Sequence, residues 1–273
     1  MKETTQTTLH ADGLPLPDTG EMRTKISDAS HFWYGREKIG KTSLASCFPD
    51  PLFLFFEPGG KFQKGITKQY CPDWKALRIT MKKLEGSKRF QTIVVDTVDI
   101  MWMLAVRHIC DPKGYRTPSD AEDYGATSDE VKMLFYRMLK RMEKLQRTMV
   151  FISHSKEYEI KRKGGASYHR TKPTLADPGR AVLEPYADIW AFYQFNDVGE
   201  RVMHVGGDDL VAAGNRCEGR FLCARTKRPL AEIPMGGSKT AAWNNYVAAF
   251  HNRMDMSGKI VKAVKTATKK KGK

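Results

Sequence analysis

The apolar patterning of the chain predicts an α/β fold with a mainly parallel central sheet, on three grounds. Four short β-type runs, HFWY (31–34), PLFLFF (51–56), TIVVD (92–96) and TMVFIS (148–153), are each separated by enough chain for a helix. Such alternation builds parallel strand pairs, because a parallel neighbour needs a crossover and a helix supplies it. The first run leads into a glycine-bearing turn that opens a helical stretch, and residues 128–146 carry one clean apolar stripe.

Taken in order, residues 1–28 are polar, hold Pro15 and Pro17, show no periodicity and read as an arm. Residues 29–235 form the predicted core. The turn after 31–34 continues into a helix over 43–47, the run 51–56 follows, and a second helix is expected over 73–84. The strand 92–96 precedes the helix over 128–146, where Val131, Leu134, Phe135, Met138, Met142 and Leu145 recur at steps of three and four, flanked by Lys and Arg. A methionine-rich stripe of this kind is core packing. Past residue 155 the pattern changes: EIKRKGGASYHRTK reads as a hairpin with Gly164 and Gly165 at its turn, and strands at 189–195 and 201–205 follow. Residues 236–273 are assigned a last helix, with Trp243, Val247, Phe250 and Met254 as its stripe, and a lysine tail.

Composition narrows the function classes. A chain of 273 residues can bury a full core, and with 41% apolar residues and no apolar run near the ~18 needed to cross a bilayer it reads as globular, with no membrane role. The first twenty residues lack the apolar stretch of a secretory signal, so a cytoplasmic location is expected. Five scattered cysteines, none in a C-x-x-C pair, argue against a disulfide framework and a zinc site. The net charge of +15 is concentrated in two places: residues 253–273 hold eight Lys/Arg and one Asp, and residues 158–172 hold five Lys/Arg and one Glu. Clusters of this sort suit a polyanionic partner, although a lysine run at a terminus equally serves as a solvated tail.

The strongest chemical signal is Gly35-Arg36-Glu37-Lys38-Ile39-Gly40-Lys41-Thr42, which fits G-x-x-x-x-G-K-[ST] with a strand before it and a helical stretch, from Ser43, after it. Glycines let the backbone curl until successive N–H groups point at one anion, and the helix start adds partial positive charge. ATP is the expected ligand. Lys41, read as solvent-facing, should reach the β- and γ-phosphates; Thr42 should place its hydroxyl on Mg²⁺; Ser43 should contact the phosphates beside it. The strand 92–96 ends in Asp96, which has the form of a Walker B carboxylate and can hold a water of the Mg²⁺ shell. Asp99 is read as a cap of the following helix. Glu57, at the end of the apolar run 51–56 and before Gly59 and Gly60, is the candidate base for hydrolysis, although a lone glutamate after a strand is more often structural. His154, at the corresponding edge of the next strand, can sense the γ-phosphate or merely satisfy a buried hydrogen bond.

Together these segments resemble the RecA-like P-loop ATPases found largely in bacteriophages and prophages, some of which act in single-strand DNA annealing. The likeness runs from about residue 31 to 221 and rests on the P-loop, FPDPLFLFFEPGG, TIVVDT, DYGATSDEV and FISHSKE. It implies Glu57 as catalytic base, and the combination of the P-loop and the Asp96 strand with Glu57 and His154 is its more discriminating part. It also implies a DNA-binding role for the hairpin, carried by Tyr158, Lys161, Arg162, Lys163, Tyr168, Arg170 and Lys172. AGNRCEGRF is similar to the segment that reaches a neighbouring subunit's ATP. Where that segment has two cations around an Asn, this chain has Gly214 and Arg216, so a trans-acting role rests on Arg216 alone. The resemblance further implies single-stranded DNA, a homo-oligomer and a single-strand-binding protein as partners, and the cytoplasm of a bacterial host as location. Two functions remain open here: a DNA-stimulated ATPase that helps strands pair, and a nucleotide-gated DNA- or protein-binding module with little turnover. A small-molecule kinase is weaker, since no lid or acceptor pocket is evident.

Overall fold

The structure is a computed structural model that describes residues 23–58, 65–161 and 167–261. Its elements run β1 (His31–Gly35), α1 (Lys41–Ala45), β2 (Pro51–Phe55), β3 (Thr67–Tyr70), α2 (Trp74–Glu85), β4 (Thr92–Asp96), α3 (Val98–Cys110) and α4 (Ala126–Glu143). Then follow β5 (Thr148–Ser153), β6 (Ser155–Lys161), β7 (Ser167–Pro173), α5 (Asp177–Leu183), β8 (Ile189–Phe195), β9 (Arg201–His204), β10 (Gly214–Asn215), β11 (Glu232–Pro234) and α6 (Lys239–Phe250). The main sheet is ordered β11-β9-β8-β1-β5-β4-β2-β3, with β10 paired to the start of β8. The pairs from β8 through β1, β5, β4 and β2 to β3 are parallel; β9, β10 and β11 join antiparallel.

Strands β1, β4 and β5 are buried at every position, as strands covered on both faces must be, and this is why they read as unbroken apolar runs. Alternate residues feed two cores. Trp33, Phe53, Val94, Val150 and Tyr193 face one side with Leu44 of α1 and Tyr246 and Phe250 of α6. Phe32, Leu54, Val95 and Phe151 face the other with Trp74 and Leu77 of α2, Met101 and Trp102 of α3, and Phe135 and Met138 of α4. At ~25 cal/mol per Å² of apolar surface removed from water, these side chains supply most of the driving force for the three-layer arrangement.

The expected core strands match to within a residue at either end, while several other features depart from the expectation. Met254 lies beyond the end of α6 rather than on it, because the helix closes at His251 and the chain turns back to pair Met254 with Cys223 and Ile260. Helix α3 is not among the expected helices, since its run VDIMWMLAVRHIC is apolar almost throughout and shows no distinct stripe. Strand β3 is also unexpected from the sequence; it is an exposed edge strand of polar residues, with no alternation to mark it. The five cysteines are free. Among the described residues no helix is long and apolar enough to cross a membrane.

Candidate functional site

The parallel strands β1, β5, β4 and β2 end on one edge of the sheet, and the loop from Gly35 to Ser43 sits there. Gly35 pairs with Tyr193 so closely that a Cβ would lie 2.1 Å from the Tyr193 carbonyl oxygen, so only glycine allows this approach of β1 to β8. Gly40 has φ 116° and starts α1, which aims the first-turn N–H groups into the loop. Arg36, Glu37 and Lys38 are exposed, Lys38 at φ 59°, whereas Ile39 is buried and pins the loop to the core. Ser43 is half-buried, its carbonyl accepting from Ser46 Oγ at 2.7 Å.

Lys41 departs from its expected solvent-facing position. Its side chain folds back under the loop with only 5% exposure and donates to the carbonyl oxygens of Gly35 at 2.6 Å and Arg36 at 2.8 Å. The curled backbone that presents N–H groups to one side presents carbonyls to the other, and the ammonium satisfies them. Burial brings the Lys41 pKa down from 10.5 to about 8, against the raising influence of Asp96, Asp99 and Glu37.

Thr42 Oγ1 donates to Asp96 Oδ2 at 2.8 Å, so the hydroxyl and carboxylate assigned to one metal meet, although 54 residues and an intervening strand separate them. Burial holds the Asp96 carboxyl above the usual aspartate range; the Thr42 hydroxyl and the charges of Lys41 and His154 oppose this, and Glu57 adds to it. The donor set fits Mg²⁺, which takes oxygen ligands from one or two protein groups and fills its octahedron with water and substrate phosphates. Bound there, the ion would neutralise charge on the phosphate oxygens.

Glu57 lies exposed two residues beyond Phe55, the register partner of Asp96, and its charge acts on Asp96. His154 follows β5, the strand between β1 and β4. Its Nδ1 is buried without a hydrogen-bond partner, so the reading of a merely satisfied buried histidine does not hold at that nitrogen. An orphaned ring nitrogen beside Asp96 fits a ligand oxygen as its missing partner. Asp99 is not the expected helix cap. Thr97 occupies the cap position, and the Asp99 carboxylate instead accepts from Ser153 Oγ at 2.7 Å, Thr174 Oγ1 at 2.8 Å and the His154 N–H at 3.3 Å.

The hairpin expected after His154 is β6–β7, and its tip, with Arg162, Lys163, Gly164 and Gly165, lies outside the described residues. The register pairs Lys156 with Lys172, Tyr158 with Arg170 and Ile160 with Tyr168, so these six share one face; Lys161 pairs with Ser167. Glu157, Glu159, His169 and Thr171 share the other. Lys156 and Lys172 both lie over the exposed Tyr158 ring, at 5.9 and 5.5 Å from its centroid. Arg170 differs from the free cation expected of it: it is half-buried, and its charge acts on Tyr34 and Asp208, because β7 docks on the body through Thr171.

Arg216 is not part of the constellation. It follows β10 at the start of β8, on the opposite edge of the sheet, where its Nε pairs with Asp188 Oδ1 at 2.9 Å. The sequence reading missed Tyr193, whose ring packs beneath Gly40, and the anchoring role of Asp99. Only strand register, which no local pattern reveals, brings them to the site.

A glycine-bearing loop between a buried parallel strand and a helix, with a lysine folded beneath it and a threonine–aspartate pair beside it, defines a P-loop nucleotide-binding protein. The chain belongs to the AAA domain family of P-loop ATPases, whose model matches residues 27–217. It is also similar to the "SPbeta prophage-derived uncharacterized protein YorG" of Bacillus subtilis (strain 168), at 26% identity over 129 residues. That stretch is 45% of this chain and 40% of YorG, so the chain spans less than half the length of this relative.

Proposed function

We propose that the chain is a phage-type, RecA-like ATPase that binds ATP with Mg²⁺ at residues 35–43. In this reading it hydrolyses ATP with Glu57 as base and binds single-stranded DNA through the β6–β7 hairpin to assist annealing or recombination in a bacterial cytoplasm. The observation that carries the reading is the Thr42–Asp96 contact reached across β5, which unites the two halves of a nucleotide–metal site. Strand order supports its RecA-like character: β5, which His154 follows, lies between the P-loop strand and the Asp96 strand, and β2, leading to Glu57, flanks Asp96 on the other side. In this reading Glu57, exposed after β2, accepts a proton from water aligned on the γ-phosphate, while Lys41 exchanges the Gly35 and Arg36 carbonyls for phosphate oxygens. The shared cationic and aromatic face of the hairpin supports the DNA half, since cations track phosphates and an aromatic ring stacks a base. The similarity to a prophage-derived protein supports the phage setting.

The test is ATP turnover with and without single-stranded DNA, for the wild type and Glu57→Gln. The amide keeps the shape of the glutamate but cannot take the proton, so ATP binding should persist while turnover falls ~10²-fold or more. Wild-type turnover in the variant would remove Glu57 as base, and ATP binding by the wild type without turnover would favour the nucleotide-gated module. For DNA, removing Arg162 and Lys163 together should flatten the slope of log K against log[salt] by up to ~1.4, from ~0.7 per single-strand phosphate contact. Tyr158→Ala should weaken binding with the slope unchanged. If both variants bind DNA like the wild type and a deletion after Asn252 abolishes binding, the lysine tail rather than the hairpin is the contact.

A further inference from the structure

Beside the phosphate loop, the end of β8 carries an aromatic side chain that none of the roles above uses. Tyr193 and Phe195, two apart on a strand, face the same side of the sheet, the side on which α1 and the loop lie. Tyr193 is buried with its hydroxyl beneath Gly40, where a Cβ would sit 3.7 Å from it. Phe195 continues past the edge of the core and keeps 38% of its surface exposed. Two guanidinium groups lie over its ring: that of Arg201, its direct cross-strand partner, at 5.6 Å, and that of Arg36, the second residue of the loop, at 5.9 Å.

These contacts are unequal in kind. Arg201 is half-buried and belongs to the neighbouring strand, so it supports the ring from within the sheet. Arg36 is exposed, long and at the outer limit of cation–π range, so it can swing away from the ring or lie over a second planar group placed on it. The result is a flat apolar surface, partly open to water, one strand from the loop that cradles phosphates.

We propose that Phe195 is the platform on which the base of the bound nucleotide stacks, with Arg36 as its cover. The inference rests on the nucleotide site proposed above and adds the subsite for its other end. Every base presents a π-face, so stacking of this kind recognises nucleotides as a class. It separates a nucleoside triphosphate from bare triphosphate, while leaving ATP and GTP nearly equal.

The test is calorimetric titration of the full chain with ATP, GTP and inorganic tripolyphosphate, each with Mg²⁺. Phe195→Ala should weaken ATP and GTP together, by about five- to hundredfold, the range of a lost base–aromatic stack, and leave tripolyphosphate within about twofold of wild type. Phe195→Trp should retain ATP affinity. The proposal is overturned if Phe195→Ala binds ATP as the wild type does, or if it loses tripolyphosphate to the same degree, which would make the ring a packing residue of the loop. A wild-type chain that binds neither ATP nor tripolyphosphate overturns the P-loop reading itself, and this one with it.

Discussion

Lys41 is held as a charge in a place that disfavours charge, and the position of its proton can therefore be read from outside. Burial lowers its pKa to about 8 from 10.5, so between those two values the unfolded chain binds more protons than the folded one. Stability linked to this group rises with pH across that window, as the buried ammonium becomes neutral. Below about pH 8 both states are protonated, and its burial cost is constant. Lys41→Met, which removes the charge and keeps the length of the chain, should leave the fold intact but lower ATP affinity or turnover by ~10²-fold or more. In denaturant titrations, the stability of the wild type relative to this variant should increase from pH 8 to pH 10; a constant difference would mean that the ammonium is not desolvated. Lys41, Thr42 and Asp96 were legible in the sequence because phosphate and metal chemistry demand those residue types at fixed spacing or at a strand end. The burial of Lys41 was not, because it depends on the carbonyls that the curled loop turns inward.

Between the site and the hairpin stands one carboxylate. Asp99 takes hydrogen bonds from Ser153 and His154 at the foot of β6 and from Thr174 just past the foot of β7, and the Thr174 N–H also donates to the His154 carbonyl at 3.0 Å. Both feet of β6–β7 are thus tied to the first turn of α3, directly after Asp96. Hydrogen bonds to a charged acceptor contribute ~1.5–3 kcal/mol each when buried, less where water reaches them. Asp99→Asn should lower global stability by ~1–2 kcal/mol. It should also speed tryptic cleavage at Lys161 to Lys163 relative to cleavage elsewhere. Unchanged hairpin cleavage in a variant whose stability has fallen would restrict Asp99 to supporting β5 and α3. The partners of Asp99 lie 54 to 75 residues away, which is why local pattern suggested a helix cap in its place. The central strands were legible for the opposite reason: burial on both faces imposes a continuous apolar run that shows in the residues themselves. Helix α5, with Pro178 at its start and Gly179 packed where a Cβ would lie 2.7 Å from the Trp102 ring, offers no periodicity, only a tertiary contact.

The two edges of the sheet carry complementary chemistry. One presents the loop, Glu57, Asp96 and His154; the other presents Arg216, Asp188 and a groove of about 1170 Å³ that Arg23, Lys140 and Arg147 also line. Because Arg216 follows β10 at the start of β8 and the loop follows the end of β1, the guanidinium cannot reach the nucleotide of its own chain. A trans-acting role for it, as proposed from the resemblance, would require a neighbour stacked edge to opposite edge, a heterologous contact that closes as a ring or continues as a filament. The pair with Asp188 does not preclude this: the Arg216 side chain is 57% exposed, and exposed pairs contribute ~0–1 kcal/mol, less than a triphosphate could offer the same cation. If Arg216 acts in trans, sedimentation should show assembly promoted by ATP, and turnover per chain should rise with protein concentration. Arg216→Ala should fold and bind ATP as the wild type does, yet lose ~10³-fold in turnover if the residue acts in trans like an arginine finger. A wild type that stays monomeric with ATP, with specific activity independent of concentration, would leave Arg216 as no more than the partner of Asp188. Loss of ATP binding in Arg216→Ala would point instead to a disturbed β8, since Asp188 also holds Ser30 at the start of β1 through its 2.8 Å contact with the Ser30 N–H.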